Sequence, residues 1–195
     1  MSLHLVTPPP IEPVSLDDLR KQLRITDNLE DKLLTRLIRA TRIRCERATR
    51  RTLISQTWDW FLDEWPVSDG AIPKPPLRSV TYVKYTDSAS AVQTWSSTLY
   101  LVDAPTGEYC ARGRLTLGYQ QEWPIVRPTA NAIQVRFIAG YGDKMEDVPE
   151  LLAQGMLMDA VRLYEHRSAI LSGNRAMAID VPGASRDIYL SFRSL

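Results

Sequence analysis

Side chains that could catalyse a reaction or hold a metal are few and scattered in this sequence. Its two histidines, His4 and His166, have no second ligand at metal-binding spacing beside them, and its two cysteines, Cys45 and Cys110, stand far apart. Three pairs of neighbouring carboxylates each stand at a predicted helix start, where they compensate the helix dipole: Asp17-Asp18, Glu30-Asp31 and Glu146-Asp147. The sequence contains no nucleophile-elbow, HExxH or phosphate-loop motif. We therefore expect no enzymatic activity, no metal and no cofactor.

Positive charge is the chemical feature that the sequence does concentrate. The formal net charge is only +1, yet residues 28–51 contain eight basic and three acidic residues. On a helix with 100° per residue, six of the basic side chains project away from the apolar side, whereas Arg44 and Arg51 fall toward it. This predicted basic stripe consists of Lys32, Arg36, Arg39, Arg42, Arg47 and Arg50.

The basic stripe fits two kinds of partner. It could neutralise DNA phosphates, which would make binding depend steeply on salt, or it could form ion pairs with an acidic protein. Sequence-specific DNA recognition is disfavoured because the chain lacks a helix-turn-helix pair and an overall basic charge. The residues alone leave both partners open, so a standalone nucleic-acid-binding module is retained as an alternative function.

Length and composition predict an ordinary globular protein. A chain of 195 residues with 44% hydrophobic and 24% charged residues can bury a core, and one domain with an insertion is the expected organisation. No run of 18 apolar residues occurs, and the N-terminus lacks the pattern of a secretory signal. We expect no membrane association, and we expect reduced thiols because the protein should stay in the cytosol where it is made.

The elements that position these residues follow from changes in hydrophobic period. Ser15 predicts the start of a short helix, and residues 28–51 predict a long amphipathic one. Pro149 starts a further helix, which runs to about Arg167, and the aperiodic residues 168–195 predict a tail. Between these helices the period changes from 3.6 to 2, which predicts strands near 54–62, 80–85, 92–95, 99–102, 114–117 and 132–139.

This order predicts an α+β fold in which a helical hairpin or bundle core carries an inserted antiparallel β region and an extended C-terminal tail. The expected helical core comprises residues 1–52 and 145–195, and the inserted β region comprises residues 53–144. The apolar residues of the helix from Pro149 spread over half of its circumference, which is wider than one packing partner requires. Leu157, Val161 and Tyr164 are therefore candidate subunit-interface residues.

Short motifs along nearly the whole chain, taken in order, resemble the head-to-tail connector family of tailed bacteriophages. They include the opening segment Pro9–Ile25, then Leu53–Trp58, Pro75–Val80, Phe137–Gly142 and Tyr164–Arg167. Two segments depart from the family pattern. Thr49-Arg50-Arg51 stands where the family usually has Thr-Gly-Arg, and residues 181–193 are a loose version of its C-terminal motif.

The resemblance implies a structural virion protein without catalytic activity. Connectors of this family act as adaptors in the neck: a ring, expected to be dodecameric, lies beneath the portal protein and extends the channel for packaged double-stranded DNA toward the stopper, or head-completion, and tail proteins. It also implies that the tail docks on the portal, with Ile179, Val181, Ile188, Tyr189, Leu190, Phe192 and Arg193 as candidate contacts. Another neck protein, a stopper or tail-completion protein, is the alternative within this class, and a gene transfer agent is one possible source.

Overall fold

The computed structural model describes residues 1–66, 70–165 and 184–194, and these form two compact units. One unit, here called the helical unit, contains residues 10–54 and 142–195. The other, called the β unit, contains residues 1–9 and 55–141. The described residues combine helices with antiparallel sheets, so the predicted α+β fold class is confirmed.

Among its described residues, the helical unit contains four α-helices, with bounds α1 Leu16–Leu23, α2 Asp31–Thr49, α3 Glu150–Glu165 and α4 Ala184–Ser191. Ser15 caps α1, as its sequence position predicts, because its hydroxyl accepts a hydrogen bond from the Asp18 N–H at 3.0 Å. The unit's core joins the apolar side of α2 to α3 and α4. Its fully buried side chains include Leu34, Ile38, Cys45, Leu152, Met156 and Phe192.

The β unit is built on a five-stranded antiparallel sheet of order β1-β2-β7-β3-β4 and a two-stranded sheet β5-β6. Alternation along β2 and β7 directs Trp60, Leu62, Val135 and Phe137 into one core. The bounds are β1 Ser2–Thr7, β2 Gln56–Leu62, β3 Leu77–Thr86, β4 Val92–Trp95, β5 Tyr100–Asp103, β6 Arg114–Leu117 and β7 Ile133–Ala139.

Two elements differ from the sequence expectation. Residues 2–7 form strand β1, which pairs with β2, so the first nine residues belong to the β unit rather than to the helical part. The prolines at 8–10 end this strand and mask its short alternating pattern. At the other end, residues 184–191 form α4 and pack against α2 and α3, so this part of the predicted tail is folded.

The end of α2 explains one departure from the family pattern. Arg50 caps the helix with φ 59°, a left-handed conformation that costs an L-residue about 1–2 kcal/mol and that glycine adopts freely. A Thr-Gly-Arg sequence would place glycine at this position. In this chain Arg50 adopts the left-handed conformation, which lowers stability, and it adds a positive charge at the end of α2.

We expect Arg50→Gly to raise the free energy of unfolding by about 1 kcal/mol, because it removes the left-handed strain. Urea denaturation measures the change. Arg47→Gly is the matched control: it lies inside α2, where glycine should lower stability by about 1 kcal/mol. Equal destabilisation by the two variants would contradict this explanation of the helix end.

One ion pair ties three strands of the β unit together. Asp59 on β2 is buried, and both its carboxylate oxygens accept hydrogen bonds from Arg136 on β7, at 2.8 and 2.7 Å. The Arg136 guanidinium also lies 5.1 Å from the ring centre of Tyr82 on β3. The hydrogen bonds from Arg136 hold the pKa of Asp59 below that of an ordinary aspartate.

This lowered pKa makes the stability of the β unit depend on pH. Ionised Asp59 contributes stability above the unfolded-state pKa of about 4, and that contribution is lost as the pH falls through the lower folded-state pKa. We therefore expect Asp59→Asn to reduce the loss of unfolding free energy between about pH 6 and pH 3. The exposed Glu64→Gln is the control, and an unchanged pH dependence in Asp59→Asn would show that the pair does not supply it.

Candidate partner-binding surfaces

Helix α2 presents opposite faces of different character. Its buried side contains Leu34, Ile38 and Cys45, and its opposite side carries five exposed cations, here called the basic face: Lys32, Arg36, Arg39, Arg47 and Arg50. None of the five forms an ion pair with any residue in the described ranges. Five of the six residues of the predicted basic stripe thus lie on one solvent-exposed surface.

Arg42, the sixth residue of the predicted stripe, does not belong to this surface. Its side chain is buried, its Nε donates to Glu12 at 2.7 Å, and its guanidinium donates to Glu46 at 2.9 Å. Arg42 lies at the edge of the buried arc, where the chain before α1 covers the helix. The prediction that Arg42 belongs to a channel-facing or partner-facing surface is therefore wrong. Arg42 forms ion pairs inside the helical unit.

The two arginines that the sequence placed toward the apolar side also act internally. Arg51 is buried and its Nε donates to the Phe192 carbonyl oxygen at 2.6 Å. The Nε of Arg44 lies 3.5 Å from the carboxylate of Asp159 on α3. Both residues connect α2 with the C-terminal half of the helical unit.

The candidate interface residues of α3 are half-buried. Leu157 and Val161 are each partly exposed, and the Tyr164 hydroxyl donates a hydrogen bond to the Glu30 carboxylate. The most exposed apolar side chains on this helix are instead Leu151 and Met158, at 44% and 36% exposure. Sequence reasoning missed them, although their spacing of seven residues places both on one side of a helix.

The predicted portal-docking residues divide into buried and exposed sets. Tyr189 and Phe192 are buried within the helical unit, Ile188 is half-buried, and Leu190 and Arg193 are exposed. Ile179 and Val181 lie outside the described residues, as does His166. Within the free subunit, α4 and the residues directly after it therefore offer Leu190 and Arg193 for contact, whereas Tyr189 and Phe192 are buried.

A buried carboxylate fixes α4 to α3. Asp159 is 1% exposed, and it accepts hydrogen bonds from the Ser185 hydroxyl at 2.8 Å and the Tyr189 hydroxyl at 3.2 Å. Burial and the neighbouring Cys45 and Asp159 raise the pKa of Tyr189, and burial raises that of the Cys45 thiol. Both groups therefore stay protonated at neutral pH, which suits a structural role and gives no nucleophile.

We expect Asp159→Ala to lower the free energy of unfolding by about 2–4 kcal/mol, because it leaves the buried hydroxyls of Ser185 and Tyr189 without their acceptor. Hydrogen exchange of residues 184–194 should become faster than in the wild type. Asp187→Ala, at an exposed position on α4, is the control. Unchanged exchange in Asp159→Ala would contradict a role for this carboxylate in holding α4.

The described residues show no other site for chemistry. They contain no group of three His, Cys, Asp or Glu side chains placed to hold a metal ion. Among the helices in the described ranges, none has the length and apolar character needed to cross a membrane.

Comparison with known protein families gives one match. Residues 13–91 match the family of phage gp6-like head-tail connector proteins. This segment covers less than half of the chain and includes α1, α2, β2 and β3. A search of curated proteins gave no match.

Three solved structures resemble the chain over its full length, covering 100% of it and 96% of each similar chain. One is the neck of an empty gene transfer agent (GTA) particle computed with C6 symmetry, at 24% identity and a TM-score of 0.81. Another is the neck of a native GTA particle computed with C12 symmetry, at 23% identity and 0.77. The third is the virion of a native GTA particle, at 23% identity and 0.78.

These comparisons agree with the sequence motifs. The family match confirms the resemblance to head-to-tail connectors, and the structural likeness confirms that the fold is one found in particle necks. Neither comparison supports the alternative of a standalone nucleic-acid-binding module.

Proposed function

We propose that this chain, whose residues 13–91 match the phage gp6-like head-tail connector family, is a structural subunit of a connector ring in a virion neck. The ring lies at the head-tail junction, between the portal protein and the stopper and tail proteins, and packaged double-stranded DNA passes through it. The subunit binds other proteins and catalyses no reaction. The observation that carries the proposal is the likeness of the entire chain to a chain from a GTA neck.

The surfaces of the free subunit suit assembly into a ring. Closed rings need a heterologous contact, in which two different patches of the same chain meet around the ring. The helical unit has such candidates in the basic face of α2 and in the exposed apolar residues Leu151 and Met158 of α3. A twelvefold ring matches the symmetry used for one of the similar necks.

The contact with the portal is assigned to the exposed side of α4. The hydrogen bonds of Asp159 and the burial of Phe192 hold this helix on the helical unit. The exposed Leu190 of α4 and the exposed Arg193, two residues after its end, then combine an apolar side chain with a positive charge. A preordered helix binds with a smaller entropic cost than a segment that folds on contact.

Mass measurement by light scattering tests the proposal. The purified chain is measured alone and after mixing with the portal protein of the same particle. We expect the mixture to contain a complex in which the portal ring carries a complete ring of this chain, about twelve copies. Copies bound side by side on the portal are held at high effective concentration, which favours contact between neighbours. A chain that stays separate from the portal at micromolar concentration would overturn the connector assignment.

The portal contact itself is tested by Leu190→Asp combined with Arg193→Glu. Both side chains are exposed, so the variant should keep the unfolding free energy within about 0.5 kcal/mol of the wild type. We expect it to bind the portal at least tenfold more weakly, since it places negative charge in the contact. Leu29→Asp, an exposed leucine between α1 and α2, is the matched control, and undiminished portal binding by the α4 variant would refute this assignment.

A further inference from the structure

The basic face of α2 differs from the paired arginines of the helical unit. Its five cations extend over about 27 Å of helix, and none has a carboxylate partner in the described part of the chain. Arg20, Arg42 and Arg44 of the same unit each lie beside a carboxylate. Four guanidinium groups and one ammonium group without ion-pair partners lie on one side of this helix. Such a surface can bind a negatively charged partner.

Packaged DNA and acidic protein are the two chemistries that could meet this row. Each phosphate contact with Lys or Arg adds affinity for DNA, and a ring would multiply such contacts around the channel. A channel wall that binds DNA phosphates tightly would slow the passage of DNA through it. Contact with protein carboxylates is instead permanent in the assembled particle, which is what a ring requires.

Negative charge is available on the same chain. Glu146 is exposed in the 3-10 turn Met145–Asp147 that precedes α3, Glu150 is exposed as the first residue of α3, and neither is ion-paired within the described ranges. The positive end of the α3 dipole stabilises negative charge at Glu150. Asp147 between them is engaged differently, because its carboxylate accepts the Lys144 N–H at 2.9 Å.

We propose that the basic face of α2 on one copy binds Glu146 and Glu150 on the neighbouring copy. The inference rests on the proposed ring and identifies its contact: two patches of opposite charge on one unit of the chain, which is what a heterologous interface needs. Arginine forks make paired hydrogen bonds with carboxylates, so the contact fixes orientation as well as attraction. The basic face therefore points at a second copy of this chain and not at DNA.

Charge reversal and charge exchange test the contact. The basic variant carries Arg36→Glu, Arg39→Glu and Arg47→Glu, and the acidic variant carries Glu146→Arg and Glu150→Arg. We expect each to fold with an unfolding free energy close to that of the wild type, as circular dichroism and urea denaturation can verify, and to lose ring loading on the portal by at least tenfold. The variant with all five changes should regain loading, because opposite charges again face each other across the contact.

The outcomes separate this inference from the proposed function. Failure of the wild-type chain to load on the portal overturns the connector role and the contact together. If the wild type loads and either reversal variant also loads normally, the connector role stands and the contact is wrong. If the reversals abolish loading and the combined variant does not recover, the basic face binds a partner other than Glu146 and Glu150, and the inference is again wrong.

Arg24→Glu is the matched control for a single reversal such as Arg47→Glu. Arg24 is exposed in the same unit, but it ends α1 and does not belong to α2, and it has no carboxylate partner among the described residues. We expect the Arg47→Glu ring to dissociate at lower salt than the Arg24→Glu ring, because only the former loses an intersubunit charge pair. Equal salt sensitivity of the two variants would contradict the contact.

Discussion

Packing of α2 against α3 and α4 is the constraint on which the helical unit depends. It buries one side of α2, with Leu34, Ile38 and Cys45, and so leaves the opposite side to solvent. The buried carboxylate of Asp159 adds direction to this packing, since it accepts hydrogen bonds from two hydroxyls of α4. An apolar contact alone would allow the helices to slide, whereas a buried polar group must meet its partners in one arrangement.

This packing determines which charges can act on other molecules. Arg42 donates hydrogen bonds to two carboxylates inside the unit, and Arg51 donates one to a backbone carbonyl oxygen. Burying either charge without such partners would cost free energy. The five cations of the basic face are exposed to water, so their charges carry little desolvation cost. In the proposed ring, a subunit with a rigid core and an unpaired charged side would gain ion pairs on contact with its neighbour.

Much of this architecture could be predicted from the sequence, and the failures have physical causes. The change of period after residue 52 and the cap at Ser15 located strands and helix starts, because both signals are local. The burial of Arg42 could not be predicted from helical periodicity, since it depends on Glu12, thirty residues away in the sequence. Strand β1 and helix α4 were missed because pairing with β2 and packing on α3, rather than local pattern, stabilise them.

Electron cryomicroscopy of this chain assembled on its portal would show both whether the chain forms a connector ring and which residues meet between its subunits. We expect a closed ring of twelve copies beneath the portal, with α4 of each copy toward the portal and the basic face of α2 against Glu146 and Glu150 of the next copy. A map in which the chain is absent from the portal complex would contradict the connector role. A ring in which the five cations of α2 line the channel and contact DNA would contradict the proposed subunit interface.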